Sequence, residues 1–276
     1  MTNLTKIIAV GLLVVVGLLG AVAYSVLRTP AEASRPIEAI PLGANPSASP
    51  VASPSASPVA SPSAAATSAA PTETTQAPAT SATAAETTVA ASAPATSAGT
   101  IVAQIVLEES EARFIIDEVL NNAPTTVVGK TNQVAGEIAV NPNDPTQTRV
   151  GTIQVNARTL ATDNDFRNRA IKNRILMTDQ YEFVTFTPKQ LTGLPQQATM
   201  GQEYSFQIIG DLTIRDTTKE VTFDVTAKPV SDTRLEGAAR ATIRYADFGL
   251  TIPQVRQVAS VDEQVRLEID FVAVPK

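Results

Sequence analysis

From residue 202 to residue 230 polar and apolar side chains trade places along the chain, and this stretch constrains the fold more than any other. In its second half Val221, Phe223, Val225 and Ala227 fall on one side, with Thr222, Asp224, Thr226 and Lys228 on the other. A period of two is that of a half-buried β-strand. The first half, Tyr204 to Ile214, carries Phe206 and Ile208 among further aromatic and β-branched residues, and Arg215-Asp216-Thr217-Thr218 has the short polar make-up of a hairpin turn. One long antiparallel pair is predicted. Such a pair buries its apolar face only against further strands, so the remainder of the folded part must close over it.

Composition divides the 276 residues into three parts. Residues 1–28 are nearly all apolar, residues 29–100 are almost entirely Ala, Ser, Thr and Pro, and a mixed globular composition begins at Ile101. One folded domain over residues 101–276 is expected. The net charge of −6 comes without any cluster of Lys or Arg, which argues against nucleic acid as a partner because a phosphate backbone demands concentrated positive charge. Neither Cys nor His occurs anywhere. Thiol nucleophiles, disulfides, Ser-His-Asp triads, the usual zinc and haem ligand sets and a lipoprotein thiol are therefore excluded, and no cofactor is expected.

Residues 7–27 carry no formal charge and are bracketed by Lys6 and Arg28. At about 1.5 Å per residue a helix of that length crosses a hydrocarbon core of about 30 Å. This predicts a single-pass membrane anchor with the carboxy-terminal domain outside the cytoplasm. A cleaved secretory signal ending at Ala21-Val22-Ala23 is the competing reading, and it would leave the domain secreted. The apolar run continues past Ala23 through Tyr24, Val26 and Leu27, which favours retention. Further on, the eight residues from Ser47 to Pro54 repeat at once from Ser55 to Pro62. Pro at every fourth position forbids helix and strand alike, so residues 29–100 are expected to be a disordered, partly polyproline-II tether with a mean span of about 45–50 Å.

Within the domain, strand-like runs occupy 104–107, 112–120, 127–130, 134–140, 149–157, 182–187, the long hairpin, 234–248 and 264–274. The last places Val265, Leu267, Ile269, Phe271 and Ala273 on one side. Phe183 and Phe186 are three apart, so one faces each side of its strand unless a bulge intervenes. Pro188 is expected to end that strand, with a loop at 191–195. Each run has one apolar face, which points to an antiparallel sheet and away from a parallel α/β arrangement. Residues 163–177 stand apart: Phe166, Ala170, Ile171, Arg174 and Ile175 fall at helical spacing behind an expected N-cap at Asp163 or Asn164. One short basic helix is predicted, carrying Arg167, Arg169, Lys172 and Arg174. The fold class is all-β, an antiparallel closed barrel of about eight strands with one short helix, since closure removes the unpaired edges of an open sheet.

Leu160-Ala161-Thr162-Asp163-Asn164, Arg167, Ile171, the run from Tyr181 to Phe186, Gly210-Asp211-Leu212-Thr213-Ile214, Thr218-Lys219-Glu220-Val221, Asp247-Phe248-Gly249-Leu250 and the final strand together resemble the YceI-like family. The resemblance runs over most of 112–274 in the family's order and spacing. It implies a lipocalin-like barrel with an elongated apolar cavity, and, as in some members, binding of a polyisoprenoid or other long amphiphilic lipid. Where such proteins often have Arg-Asp in the helix, this chain has Arg167-Asn168; the hairpin turn, often Gly in relatives, has Asp216, and a position often basic has Tyr245.

Alternation nominates the cavity lining as Phe206, Ile208, Val221, Phe223, Val225, Leu267, Ile269 and Phe271. To these are added Phe183, Phe186 and Phe248, with Phe166 and Ile171 from the helix. Arg167, Arg169, Lys172 and Arg174 are the candidate contacts to an anionic head group, or else solvated cations on a helix that plugs one end of the sheet. A core packed solid, with no cavity, satisfies the same alternation. The function expected is non-enzymatic storage or transport of a lipid, with the lipid and the membrane as partners. An adhesion or stress-protection module on a stalk is the alternative. Acid/base pairs that an enzyme could use, Asp163 with Asp165 and Asp262 with Glu263, read more simply as a helix cap and a turn.

Overall fold

A computed structural model of the chain describes residues 28–43, 99–253 and 258–276. The expected anchor at residues 7–27 and most of the expected linker lie outside the described residues. Among the described residues no helix is long and apolar enough to cross a membrane.

The strands are β1 (Ile101–Ile105), β2 (Glu111–Leu120), β3 (Ala123–Thr131), β4 (Val134–Ala135), β5 (Glu137–Val140), β6 (Arg149–Val150) and β7 (Ile153–Asn156). After helix α1 (Asp165–Ala170) come β8 (Phe183–Thr192), β9 (Tyr204–Ile214), β10 (Thr217–Ser231), β11 (Arg234–Arg244), β12 (Val258–Val261) and β13 (Gln264–Pro275). They form one curled antiparallel sheet in the order β4-β7-β8-β9-β10-β11-β13-β1-β5-β6, with β2 beside β13, β3 and β12. The path starts on β4, and β5, the strand next to its far end, follows β4 directly in the chain. Val134 and Ala135 pair with β7, whereas Glu137–Val140 pair with β1. Likewise β13 lies along β11 on one side and, on the other, beside β2 and then β1.

The hairpin predicted from alternation is present, with β9 and β10 paired from Ile214 and Thr217 at the turn to Tyr204 and Ala227. Its turn is tighter than expected. Arg215 and Asp216 alone make it, and Arg215 adopts φ 59°, a left-handed conformation that costs a non-glycine residue about 1–2 kcal/mol. The Arg215 guanidinium lies 5.9 Å above the Tyr181 ring.

Two expectations about β8 need correction: Pro188 does not end the strand, which runs on to Thr192, and Leu191 is paired rather than in a loop. The cause is positional. On one side β8 pairs with β7 only from Phe183 to Phe186, so Pro188 sits where no neighbour asks for its missing N–H, while pairing with β9 continues through a bulge after Pro188.

Helix α1 starts at Asn164, whose side chain accepts the Arg167 N–H at 3.0 Å. From Ile171 to Ile175 it widens into a π turn, in which the Leu176 N–H reaches the Ile171 carbonyl at 2.8 Å. Asn168 accepts both the Thr162 N–H (2.7 Å) and its hydroxyl (2.8 Å), and so pins the approach to the helix.

Residues 29–43 fall in the stretch expected to be linker, yet together with Arg28 they hold fixed contacts along the domain. Asn173 Nδ2 donates to the Arg28 carbonyl at 2.9 Å, and the Arg28 guanidinium pairs with Asp179. Ser34 gives Glu182 both its N–H (2.9 Å) and its hydroxyl (2.6 Å). Ile37 is only 5% exposed. The strap ends with the Leu42 N–H on Glu137 Oε2 at 3.0 Å, close beside Gly151. Glu182 also meets Arg158 at 2.9 Å and Asn156 at 3.1 Å. Burial opposes its ionisation, but the two Ser34 hydrogen bonds, Arg158 and Asn156 together hold its carboxyl below the ordinary 4.5.

Candidate functional site

The inward rows decide what the sheet encloses. On β9 the row is Phe206, Ile208, Gly210, Leu212 and Ile214; on β10 it is Val221, Phe223, Val225 and Ala227. On β11 the row Leu235, Gly237, Ala239, Ala241 and Ile243 has three small residues in succession. Large residues on the facing strands therefore meet little bulk opposite them, and the interior is not filled. Two glycines serve a related purpose. A Cβ on Gly237 would stand 2.5 Å from the Phe271 ring and from the Thr226 carbonyl, and one on Gly210 would stand 2.5 Å from the Thr187 carbonyl and 2.8 Å from the Phe186 ring. Each leaves room for an aromatic ring from the neighbouring strand.

Among the described residues the curled sheet encloses two apolar cavities, of about 400 Å³ and about 230 Å³. Both have walls that are almost wholly apolar. Ile153, Phe186, Phe223 and Ile269 belong to both, so these four side chains form the partition between them. Phe186 meets Phe223 edge to face, with ring centroids 4.8 Å apart. The larger cavity reaches the end of the sheet bearing Pro142, Pro145, Leu194 and the turn between β10 and β11. The smaller reaches the end covered by the helix, through Ile171, Ile175 and Leu176.

Of the nominated lining, Phe186, Phe206, Ile208, Phe223, Val225, Ile269 and Phe271 stand on the wall of the larger cavity. Ile171 and Leu267 join Phe186, Phe223 and Ile269 around the smaller. Four nominations need correction, because Phe166, Phe183, Val221 and Phe248 touch neither cavity. Phe248, 2% exposed, is packed into the core cluster around Phe223 and Leu250, and Val221 packs at the margin of that cluster. Phe183 is three residues from Phe186 on the same strand, so the pleat turns it to the other face. Phe166 is 67% exposed. The inward stripe of the helix is Arg167, Ile171 and Ile175, and at about 100° per residue Phe166 is carried round to solvent.

The nominated cations are separated in the same way. Arg167 alone reaches a cavity wall, and it is already engaged: Glu118, 9% exposed on the inward row of β2, takes it at 3.0 Å and Asp163 at 2.5 Å. Arg169 stacks over Phe166 at 5.7 Å, outside the cavity. Lys172 and Arg174 line neither space. Burial draws the Lys172 ammonium below its ordinary 10.5. Sequence reasoning missed Glu118, whose run reads only as a strand, and it missed Leu194, Pro195 and Met200, which line the larger cavity from a connecting loop. Nothing periodic marks a loop residue as a wall. Among the described residues no group of three or more acidic side chains could hold a metal ion.

The family model for the YceI-like domain matches residues 100–273. The chain belongs to the YceI-like family. Among solved structures, the YceI-like fold is shared with a polyisoprenoid-binding domain from Saccharophagus degradans, described as implicated in plant cell wall breakdown. The two have a TM-score of 0.51 and 12% identity, over 64% of this chain and 99% of that one. Burkholderia cenocepacia BcnA is similar at a TM-score of 0.50 and 16% identity, over 62% of this chain and 99% of that one. At such identities the YceI-like likeness is one of fold. No curated protein matches the sequence.

Proposed function

We propose that this YceI-like protein is a non-catalytic carrier for a long-chain amphiphilic lipid such as a polyisoprenoid, held in the interior of a closed, lipocalin-like barrel tethered outside the cytoplasm. The observation that carries the reading is the pair of apolar cavities, about 400 and 230 Å³, stacked through one thin partition. Together they fall in the range of about 300–1,000 Å³ usual for ligand sites. A tail gains about 0.8 kcal/mol for each buried methylene, so ten of them offer about 8 kcal/mol before the cost of association. Specificity then follows from length and width rather than from one polar contact, which suits walls with so few polar groups. The polyisoprenoid named for the Saccharophagus domain supports the choice of ligand class.

Native mass spectrometry of the full chain, released gently from membranes, tests the reading. A co-purified mass of several hundred daltons that extracts into organic solvent is expected. A bare polypeptide mass, persisting after incubation with prenyl lipids, would overturn it.

A further inference from the structure

Residue 28 carries more information than its position at the head of the strap suggests. Its carbonyl and guanidinium are held by Asn173 and Asp179, immediately around the far end of the helix. On the reading that residues 7–27 cross a bilayer, residue 28 is the first one out. One residue spans at most about 3.6 Å, so whatever grips residue 28 lies at the head-group layer. A flexible tether of about 45–50 Å cannot then set the distance of the domain from the membrane.

The surface brought there has the chemistry of an interface. Phe166 is 67% exposed, and the Arg169 guanidinium is stacked over its ring. Arg174 is exposed on the next turns and Lys172 half-buried beside it. The acidic groups on this element are Asp163, already spent on Arg167, and Asp165 in the first turn. An aromatic ring with cations around it is the side-chain set that lies at the boundary between acyl chains and anionic head groups. Directly behind it, Ile171 and Ile175 wall the smaller cavity.

We propose that the helix-bearing end of the domain docks on an anionic lipid bilayer, held in that orientation by the strap of residues 28–43, so that the smaller cavity opens toward the membrane. The inference rests on the lipid-carrier reading and its anchor. It adds which end faces the bilayer and what keeps it there.

The absence of Cys makes the test direct, because a single introduced thiol labels one place. Full-length D165C and T233C, at the helix and at the opposite β10–β11 turn, carry a fluorophore in vesicles of phosphatidylglycerol and phosphatidylcholine with a head-group quencher. Quenching at position 165 should exceed that at position 233 several-fold, and R169Q with R174Q should weaken docking about fivefold per charge in these vesicles but not in phosphatidylcholine alone. Ile37→Asp, which expels the buried strap residue, should bring the two positions toward equality. A chain that floats with vesicles yet shows equal quenching at both positions refutes the orientation while leaving the anchor intact. A chain that does not float, with an amino terminus near Tyr24, overturns the anchor and this inference with it, and leaves the lipid mass in native spectra to stand or fall separately.

Discussion

Replacing Phe186 by Ala removes one of the four side chains that separate the two cavities, and its cost can be worked from the surroundings. The ring is 8% exposed, lies against Gly210 and meets Phe223 edge to face. Deleting a buried phenyl group costs about 3–5 kcal/mol, a figure that includes the void left behind. The backbone around Gly210 is paired on both sides, with β8 and with β10, and cannot collapse into the space. For a domain of this size the loss corresponds to a fall in melting temperature of about 10 °C or somewhat more. The same substitution should open a passage between the spaces of about 400 and 230 Å³. Differential scanning calorimetry of the full chain, with and without prenyl alcohols of increasing length, reads both effects. The variant should be recovered in stability more by long chains than by short ones, since each further buried methylene adds about 0.8 kcal/mol to binding. A drop of under about 3 °C would mean that the ring is not packed as described. An equal rescue by short and long chains would refute the stacked arrangement of the two spaces.

Gly237→Ala should destabilise the domain by about 1–3 kcal/mol, because its Cβ would press into the Phe271 ring and the Thr226 carbonyl at 2.5 Å; urea titration measures this, and an unchanged midpoint would contradict the close approach. The strap should respond to acid. Since the Glu182 carboxyl titrates below its ordinary 4.5, its contribution is complete above that value and fades as pH falls through the lower folded value. Pepsin cleavage within residues 28–43 should therefore accelerate as pH drops from about 5 to about 3 by more than the enzyme's activity on an unfolded control, and Glu182→Gln should abolish that extra acceleration.

Much of the sheet was legible because alternation is a local property. The rows through Phe223, Val225, Leu267, Ile269 and Phe271 needed only the period of two, and all five reached a cavity wall. The helix was legible in extent and cap but not in phase. Which stripe turns inward depends on Glu118 taking Arg167, a contact across 49 positions that no helical period encodes. Pro188 was misread because its tolerance depends on where β7 stops, a property of the neighbour and not of the strand itself. The strap was invisible for a similar reason. Its own residues carry no periodicity, and the carboxylates that hold it, Glu182 and Glu137, lie 148 and 95 positions away from Ser34 and Leu42.

The row of small residues on β11 also says where this molecule is adjustable. Ala239 is inward on the wall of the larger cavity and carries little more than backbone, while the hydrogen bonds to β10 and β13 on either side do not depend on what it bears. Adding a few carbons there would narrow the larger chamber and leave the pairing untouched. Capacity and architecture are thus governed by different atoms, so one can drift over generations while the other stays put.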